Sequence, residues 1–588
     1  MTLRVRWLGS VRYRDALVLQ RGLRDNSPDD HLLLLEHPHV YTLGLRTDPA
    51  HLLAEPSSVG AELERADRGG DVTYHGPGQL VGYPILTLPA VGDSEGSACR
   101  LEPGRSFRMP STPGYVHSVE DVLIDTLADF GLVAGRLDGY PGVWIDADGE
   151  APRKIAAIGV RITRGRTMHG FALNVDPDLS MFGHIVPCGI ADKAVTSMRA
   201  EGVDVSLRDV VDALVPHALT RWGRDGWERQ DVAWHVRPED LSVFSRDGSE
   251  PAPDAPVALP RSRARLAAAG VTEGLSISER KPEWAKAHVR ISDDYLRLKK
   301  TMRDLSLVTV CEEAGCPNIF ECWADGTATF MINGERCTRA CGFCLVDTRH
   351  PLAVDADEPE RVADAVERMG LTYAVITAVA RDDLTDGGAA GFVATIEAIR
   401  RRTPDTRIEV LIPDCKGDPG ALQAIFDARP DVLNHNVETV PRLQRAVRPS
   451  ASYARSLSVL SRAVQAGLTT KSGLIVGLGE TVEEVEAVLA DLHATGVGIV
   501  TVGQYLRPTE RHLPVARWWT PDDFARVKEA GERLGIAHVE ATPLTRSSHH
   551  ARAAADAALA PPFLRADVSG SGDDRTQERS AVPVEVEG

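Results

Sequence analysis

Six of the nine cysteines fall between Cys311 and Cys344, and this crowding constrains the chain more than any other feature. They form two triplets. Cys311-Glu-Glu-Ala-Gly-Cys316-Pro-Asn-Ile-Phe-Glu-Cys322 has the spacing Cys-x4-Cys-x5-Cys, and Cys337-Thr-Arg-Ala-Cys341-Gly-Phe-Cys344 has Cys-x3-Cys-x2-Cys. Clustered cysteines without a secretory pattern argue for metal binding rather than disulfides. A structural zinc site takes four protein ligands. Three thiolates within eight residues suit a 4Fe–4S cluster that leaves one iron open for a small molecule. The spacing alone also allows a three-thiolate zinc site with a distant fourth ligand.

The rest of the chain divides around this region. At 588 residues it is too long for one core. Residues 249–260 hold four prolines and read as an extended spacer. The expected division is a domain over 1–245, a Pro/Ala-rich linker over 246–276, a second domain over 277–560 and a disordered tail over 561–588. In the first half, 31–36, 83–88 and 154–162 read as strands and 119–130 as a helix, which predicts a mixed α/β sheet domain. In the second half, strand-like runs at 373–379, 407–412, 432–436, 473–476, 499–505 and 538–541 alternate with helical patterns such as 389–402, 456–466, 482–495 and 521–534. Six β-then-α units predict a parallel sheet curled into an open, partial barrel, with its site at the C-terminal strand ends.

The second triplet resembles the radical S-adenosylmethionine (SAM) superfamily. In that superfamily SAM binds the open iron, and its reductive cleavage yields a carbon-centred radical that abstracts unactivated hydrogen. The surrounding blocks narrow the resemblance. Lys299–Leu305, Cys311–Trp323, Arg381–Leu384, Asp386–Ala389, Asn434–Thr439, Gly503–Leu506 and Arg546-Ser547-Ser548 are similar to lipoyl synthase over about residues 280–555. The resemblance implies two 4Fe–4S clusters. Cys337, Cys341 and Cys344 would hold the SAM-binding cluster. Cys311, Cys316, Cys322 and Ser547 would hold an auxiliary cluster consumed as the sulfur source. A hydroxyl is a weaker ligand than thiolate on soft iron, so it can leave. Asn436, Glu438, Arg448 and Lys471 are expected around SAM. Ala378 and Ala380 stand where the family often has polar residues, and His549 stands where it has Tyr. Cys415 reads as a buried hydrophobe.

In the first half, Cys188 lies in Val186-Pro187-Cys188-Gly189-Ile190 and Lys154 in Arg153-Lys154-Ile155-Ala156-Ala157-Ile158-Gly159. A cysteine nucleophile needs a base or cation nearby, and spacing does not bring the two together. The blocks Arg68-Gly69-Gly70-Asp71-Val72-Thr73-Tyr74-His75-Gly76-Pro77-Gly78-Gln79-Leu80, Lys154–Gly159, His169–Val175 and Pro187–Ile190 resemble lipoyl(octanoyl) transferase over about residues 5–225. That implies a biotin/lipoate ligase-type fold, with Cys188 as nucleophile and Lys154 as its base. Substrate contacts would come from Arg68 to His75, from Ala157, Ile158 and Gly159, and from Gly170, Phe171 and Ala172. His75 and His169 are candidate positioning residues. The stretch 92–114 is longer than the resemblance accounts for.

The two resemblances imply sequential reactions: octanoyl transfer from octanoyl-acyl carrier protein to a carrier lysine, then sulfur insertion at C6 and C8. The implied partners are octanoyl-acyl carrier protein, the lipoyl carrier domains of 2-oxoacid dehydrogenases, the glycine cleavage H protein and an electron donor. A net charge of −18 argues against nucleic acid, which requires a basic face. No apolar run reaches the roughly 20 residues of a membrane span, and the expected location is cytoplasmic. An ATP-using lipoate ligase for the first half would lack the cysteine. A biotin synthase for the second half would lack the Cys311–Cys322 set. A carrier-binding scaffold would not require the predicted cysteines. A tether between the two halves would raise the local concentration of a carrier near the second site.

Overall fold

The computed structural model describes residues 2–88, 99–100, 106–107, 112–187, 193–223, 226–229, 231, 260–272, 274–277, 280–286, 302, 305, 307–309, 318 and 327–559. Cys188, Cys311, Cys316, Cys322, the tail 561–588, most of 92–114 and most of the proline-rich run lie outside the described residues.

The first half contains β1 (Leu3–Ser10), α1 (Tyr13–Asn26), β2 (Asp30–Glu36), β3 (Val40–Leu43), β4 (Glu62–Arg65), β5 (Thr73–His75) and β6 (Gln79–Ile85). The short β7 (Cys99–Arg100) and β8 (Ser106–Phe107) pair with each other. They precede α2 (Thr112–Asp129), β9 (Ala134–Leu137), β10 (Tyr140–Ile145), β11 (Arg153–Thr163), β12 (Arg166–Asn174), β13 (Ala194–Val195), α3 (Leu207–Trp222) and β14 (Trp227–Arg229). The main sheet has the order β14-β1-β2-β6-β12-β11-β10-β9, with β13 beside β11, and a small sheet β4-β3-β5 lies apart. The run Leu32-Leu33-Leu34-Leu35 in β2 shows why this sheet needs cover on both faces. Leu32 and Leu34 join the core made with α2 and α3, whereas Leu33 and Leu35 join the one made with α1. Strand side chains alternate between faces, so a continuous apolar run is the pattern of a strand buried on both.

After α4 (Pro260–Ala268), the second half contains β15 (Val308–Thr309), β16 (Thr327–Ile332), α5 (Glu358–Met369), β17 (Tyr373–Ala378), α6 (Ala389–Arg402), β18 (Arg407–Leu411), α7 (Pro419–Asp427) and β19 (Val432–Asn434). There follow α8 (Gln444–Val447), α9 (Tyr453–Gln465), β20 (Thr469–Val476), α10 (Val482–Ala494), β21 (Ile499–Gln504), α11 (Pro521–Leu534), β22 (His538–Ala541) and α12 (Ala551–Leu559). The order β15 through β22 is sequential. β16 to β22 are all parallel, and the ends of the sheet stay unpaired with each other, giving an open barrel. The six anticipated strands are present, and β16 adds a seventh parallel strand ahead of them. Helix starts follow side-chain chemistry. Thr481 and Glu484 form a reciprocal capping box on α10. Thr520 and Asp523 do the same on α11, where Pro521 supplies a preset first turn and Gly535 a left-handed end. Within the stretch anticipated as linker, α4 is helical and Leu266 is buried in the core of this half. Proline at the first helical position followed by alanines, arginines and leucine accounts for the helix.

Inside the barrel, Lys471 on β20 pairs with Glu409 on β18 at 3.0 Å, and both side chains are wholly buried. The Glu409 carboxylate also accepts from the Tyr373 hydroxyl at 2.9 Å and the Asn434 amide at 3.2 Å. Removing one partner of such a pair leaves an unmatched charge away from water. Lys471→Ala is expected to lower unfolding free energy by about 3–5 kcal/mol, read from the urea midpoint. An unchanged midpoint would show that the pair contributes nothing to stability.

Candidate active sites

In the first half the predicted substrate residues converge. β11 and β12 run antiparallel, so Ala157 faces Ala172, Ile158 faces Phe171 and Gly159 faces Gly170. The connection before β5 crosses these strands: Gly69 N–H donates to the Val160 carbonyl at 3.2 Å. Gly159 is required there, because a Cβ would come within 2.9 Å of the Arg68 side chain. Arg68 is buried. Its guanidinium donates to the Asp71 carbonyl at 2.9 Å, the Thr42 carbonyl at 2.9 Å and the Thr42 hydroxyl at 2.7 Å. Arg68 therefore shapes the Gly69–Asp71 turn. The Asp71 carboxylate meets His51 Nδ1 at 2.5 Å, and Val72 to His75 are buried beyond it.

The two histidines differ in setting. His75 is buried beside Tyr13 and His37 and contacts Gln79 Oε1 through Nδ1 at 2.7 Å. Burial holds its pKa well below the usual range, so it is a neutral core histidine. His169 has a left-handed backbone (φ 58°), which turns its ring to Asp67 at 2.7 Å. Burial lowers its pKa against the pull of that carboxylate.

Lys154 is buried on β11, with its ammonium 4.8 Å from the Trp144 ring centroid. A hydrogen-bonded chain ties its strand to the other blocks. Gln79 Nε2 donates to Asn174 Oδ1 at 2.9 Å, Asn174 Nδ2 donates to the Thr196 carbonyl at 2.9 Å, and Thr196 N–H donates to the Lys154 carbonyl at 2.9 Å. Sequence reading missed this chain. Gln79 and Asn174 lie inside the resembling blocks, but no spacing pairs residues so far apart. The segments flanking Cys188 are anchored to the same site: Val186 N–H donates to the His51 carbonyl at 2.8 Å, and Val195 is the register partner of Lys154.

In the second half, Cys337, Cys341 and Cys344 lie on the loop leaving the C-terminal end of β16. Backbone N–H groups of Arg339 and Ala380 donate to Cys337 Sγ at 3.4 and 3.3 Å. Ala380 thus acts through its backbone, which explains why an apolar residue suffices there. Arg339 pins the loop by pairing with Asp382 at 2.7 Å and with Asp414 at 2.5 Å. Burial would raise the Asp414 pKa, but Arg339 and Arg455 hold it well below the carboxylate range. Burial pushes Cys341 up to about 11 and Cys344 up to about 12, against the lowering effect of Arg448 on Cys341. Three sulfurs on one loop with N–H donors aimed at one of them fit a three-thiolate cluster, whose binding would displace the thiol protons.

Three of the predicted SAM residues and Ser547 gather at the same rim. Asn436 Nδ2 donates to Glu438 Oε1 at 3.0 Å and to Ser547 Oγ at 2.7 Å. Arg448 Nη1 donates to the Asn436 carbonyl at 2.9 Å. Glu438 has a left-handed backbone (φ 65°), and burial raises its pKa against Arg448. Lys471 is placed elsewhere, in the Glu409 pair near the start of β20. His549 is buried, with its ring stacked on His550 at 3.8 Å. Cys415 is buried within an apolar core of this half.

Comparison with known proteins assigns both halves. Residues 12–218 match the lipoyl protein ligase A/B catalytic domain, 269–316 the N-terminal domain of lipoyl synthase of the radical SAM family, and 331–492 the radical SAM superfamily. A lipoyl synthase of Rubrobacter xylanophilus is 58% identical over 273 residues, which is 46% of this chain and 85% of that protein. The chain belongs to the lipoyl synthase family. A lipoyl synthase of Mycobacterium tuberculosis is 55% identical over 273 residues, covering 46% of this chain and 88% of its own. Among solved structures, lipoate-protein ligase A bound with ATP is 16% identical (43% of this chain, 97% of that one, TM-score 0.31). Streptococcus suis SuiB bound to S-adenosylmethionine is 10% identical (38% and 53%, TM-score 0.31). The chain therefore joins a lipoate ligase/transferase-type catalytic domain to a lipoyl synthase. Among the described residues no helix is long and apolar enough to cross a membrane.

His435, next to the Asn436 cluster, carries a pH prediction. Its ring nitrogens contact the Ile412 carbonyl and the Ser456 hydroxyl, both at 2.9 Å, and burial lowers its pKa to about 4. The unfolded chain takes up this proton below about pH 6.5. Folding stability from His435 is therefore complete above about 6.5 and is lost as pH falls toward 4. The unfolding free energy should decline over that window, less steeply in His435→Gln. Equal slopes in the two proteins would contradict the assignment.

Proposed function

We propose that this chain makes protein-bound lipoate in two successive reactions: octanoyl transfer in the first half and sulfur insertion in the second. The observation that carries the reading is the union, in one chain, of a ligase/transferase-type catalytic domain with a lipoyl synthase whose cysteine loop and Asn436–Glu438–Ser547 cluster share one rim.

In the first reaction the Cys188 sulfur attacks the thioester carbonyl of octanoyl-acyl carrier protein. Lys154 accepts the cysteine proton and returns it to the departing carrier thiol. The oxyanion is stabilised by backbone N–H groups of the Arg68–His75 segment. The amine of a carrier-domain lysine then attacks the Cys188 thioester, Lys154 takes the amine proton, and the cysteine thiol is regenerated. The anchoring of both flanks of Cys188 to the Lys154 and His51 segments supports this pairing. The tight turn set by Arg68 supports a preformed amide cradle.

In the second half, two 4Fe–4S clusters and SAM would supply the radicals that abstract hydrogen at C6 and C8 and the sulfur that replaces it. Cys337, Cys341 and Cys344 would hold the first cluster; Cys311, Cys316, Cys322 and Ser547 would hold the second. Asn436, Glu438 and Arg448 would bind SAM. The Asn436 amide donates to the Ser547 hydroxyl oxygen and so orients that side chain at the rim. Lipoyl carrier domains of 2-oxoacid dehydrogenases and the glycine cleavage H protein are the acceptors, in the cytoplasm, with an external electron donor.

Cys188→Ala should abolish the covalent octanoyl intermediate, seen as added mass on the enzyme, while SAM cleavage continues. Acyl-enzyme in that variant would remove Cys188 from its role. Transfer from free octanoate and ATP, but not from the thioester, would establish a ligase instead. Lys154→Met should slow acylation by about 10²–10⁴-fold. Cys316→Ala should cleave SAM yet yield no lipoyl product, and normal product would end the auxiliary-cluster assignment.

A further inference from the structure

Helix α1 is enclosed on all sides. Tyr13, Asp15 through Gln20 and Leu23 are buried. Six consecutive buried residues go round more than one helical turn, whereas a helix lying on a surface buries only one stripe. One side of α1 packs on β12 and β6 of its own half. The other packs on α9 and α10 of the synthase half, and a single apolar core runs through all of them, with Leu19, Leu23, Leu460, Val488 and Leu492 among its members.

Polar contacts cross the same junction. Arg6 Nη1 meets Asp491 at 2.7 Å with both side chains nearly free of solvent (4% and 3% exposed), and the Tyr453 hydroxyl donates to the same carboxylate at 2.8 Å. Arg462 pairs with Asp15 at 3.4 Å. Asn26 Nδ2 donates to the Ala494 carbonyl, which ends α10, at 3.0 Å. Gly22 lets the helices close, since a Cβ there would lie 3.1 Å from the Ala494 carbonyl oxygen and 3.3 Å from Ser461 Oγ. Domains that merely share a chain meet through more polar, transient-type contacts. A continuous apolar core that buries a matched charge pair is the pattern of an obligate interface, because separation would strand each half's apolar surface in water.

We infer that the two catalytic halves form one rigid body through α1, and that the covalent connection between residues 231 and 260 is dispensable for their association. The inference is independent of which reaction either half performs. Both sites then keep a fixed separation, so a carrier domain moves between them by release and rebinding and not by swinging of the tether. α1 also touches the first site directly: Gln20 Oε1 accepts from the His169 N–H at 2.8 Å, and Arg21 lies 3.6 Å from Asp67.

The test uses the full chain with a protease recognition sequence, flanked by glycine–serine spacers, inserted between Pro251 and Pro256. After complete cleavage of the folded protein, size-exclusion chromatography at micromolar concentration should return one species with the mass of the whole chain, containing both fragments. Two separately eluting halves would overturn the inference. In the same chain carrying Gly22→Phe with Arg6→Ala, the cut fragments should no longer co-elute, while the uncut variant keeps the circular dichroism spectrum of the uncut parent. Asp491→Ala serves as a milder second variant. Association that persists undiminished in both variants would overturn the assignment of the junction to α1.

Discussion

In a sheet whose strands all run one way, every connection that leaves a strand emerges at the same rim. The synthase half is organised by that constraint. β16 delivers the cysteine loop, β17 delivers Ala380 and Asp382, β19 delivers Asn436 and Glu438, and the turn beyond β22 delivers Ser547. These residues are far apart in sequence, yet parallel pairing leaves them one destination. The Arg339 bridge to Asp382 and Asp414 then fixes the loop against that rim. Within the barrel, Lys471 and Glu409 are paired with each other away from water.

The ligase/transferase-type half reaches convergence by antiparallel pairing. β11 and β12 place their small residues face to face, and the glycines at 159 and 170 leave room for Arg68 and for the β6 backbone. The resulting floor is rigid, because α2 and α3 cover one face of the sheet and α1 the other. The junction with the synthase half adds a second cover over α1. The two halves are thus packed against one another as well as joined in sequence.

Local patterns were legible where local chemistry decides the structure. The helix over 389–402 and the one over 521–534 were readable from periodicity and their Gly388 and Thr520-Pro521 starts. β2 was readable because its leucine run has no helical alternative of adequate length. β16 was not, because Thr-Ala-Thr-Phe-Met-Ile is a short run between two cysteine sets with no β-then-α rhythm of its own ahead of it. The cysteine triplet was legible from its spacing. The Lys471–Glu409 pair was not, because only the barrel brings Glu409 to Lys471. The Gln79–Asn174–Thr196 chain and the enclosure of α1 depend on contacts between residues dozens to hundreds of positions apart, which periodicity does not encode. His169 was legible as a candidate, but its contact with Asp67 was not, because it follows from a left-handed backbone that no residue type at that position announces.

The central claim is that one chain carries two reactions in series, and the most direct measurement is the intact mass of an apo lipoyl carrier protein. It is incubated anaerobically with the iron-reconstituted full chain and octanoyl-acyl carrier protein, with and without SAM plus reductant. The account predicts octanoylated carrier without SAM, converted to lipoylated carrier when SAM and reductant are present. A carrier that stays unmodified in both incubations would contradict the account.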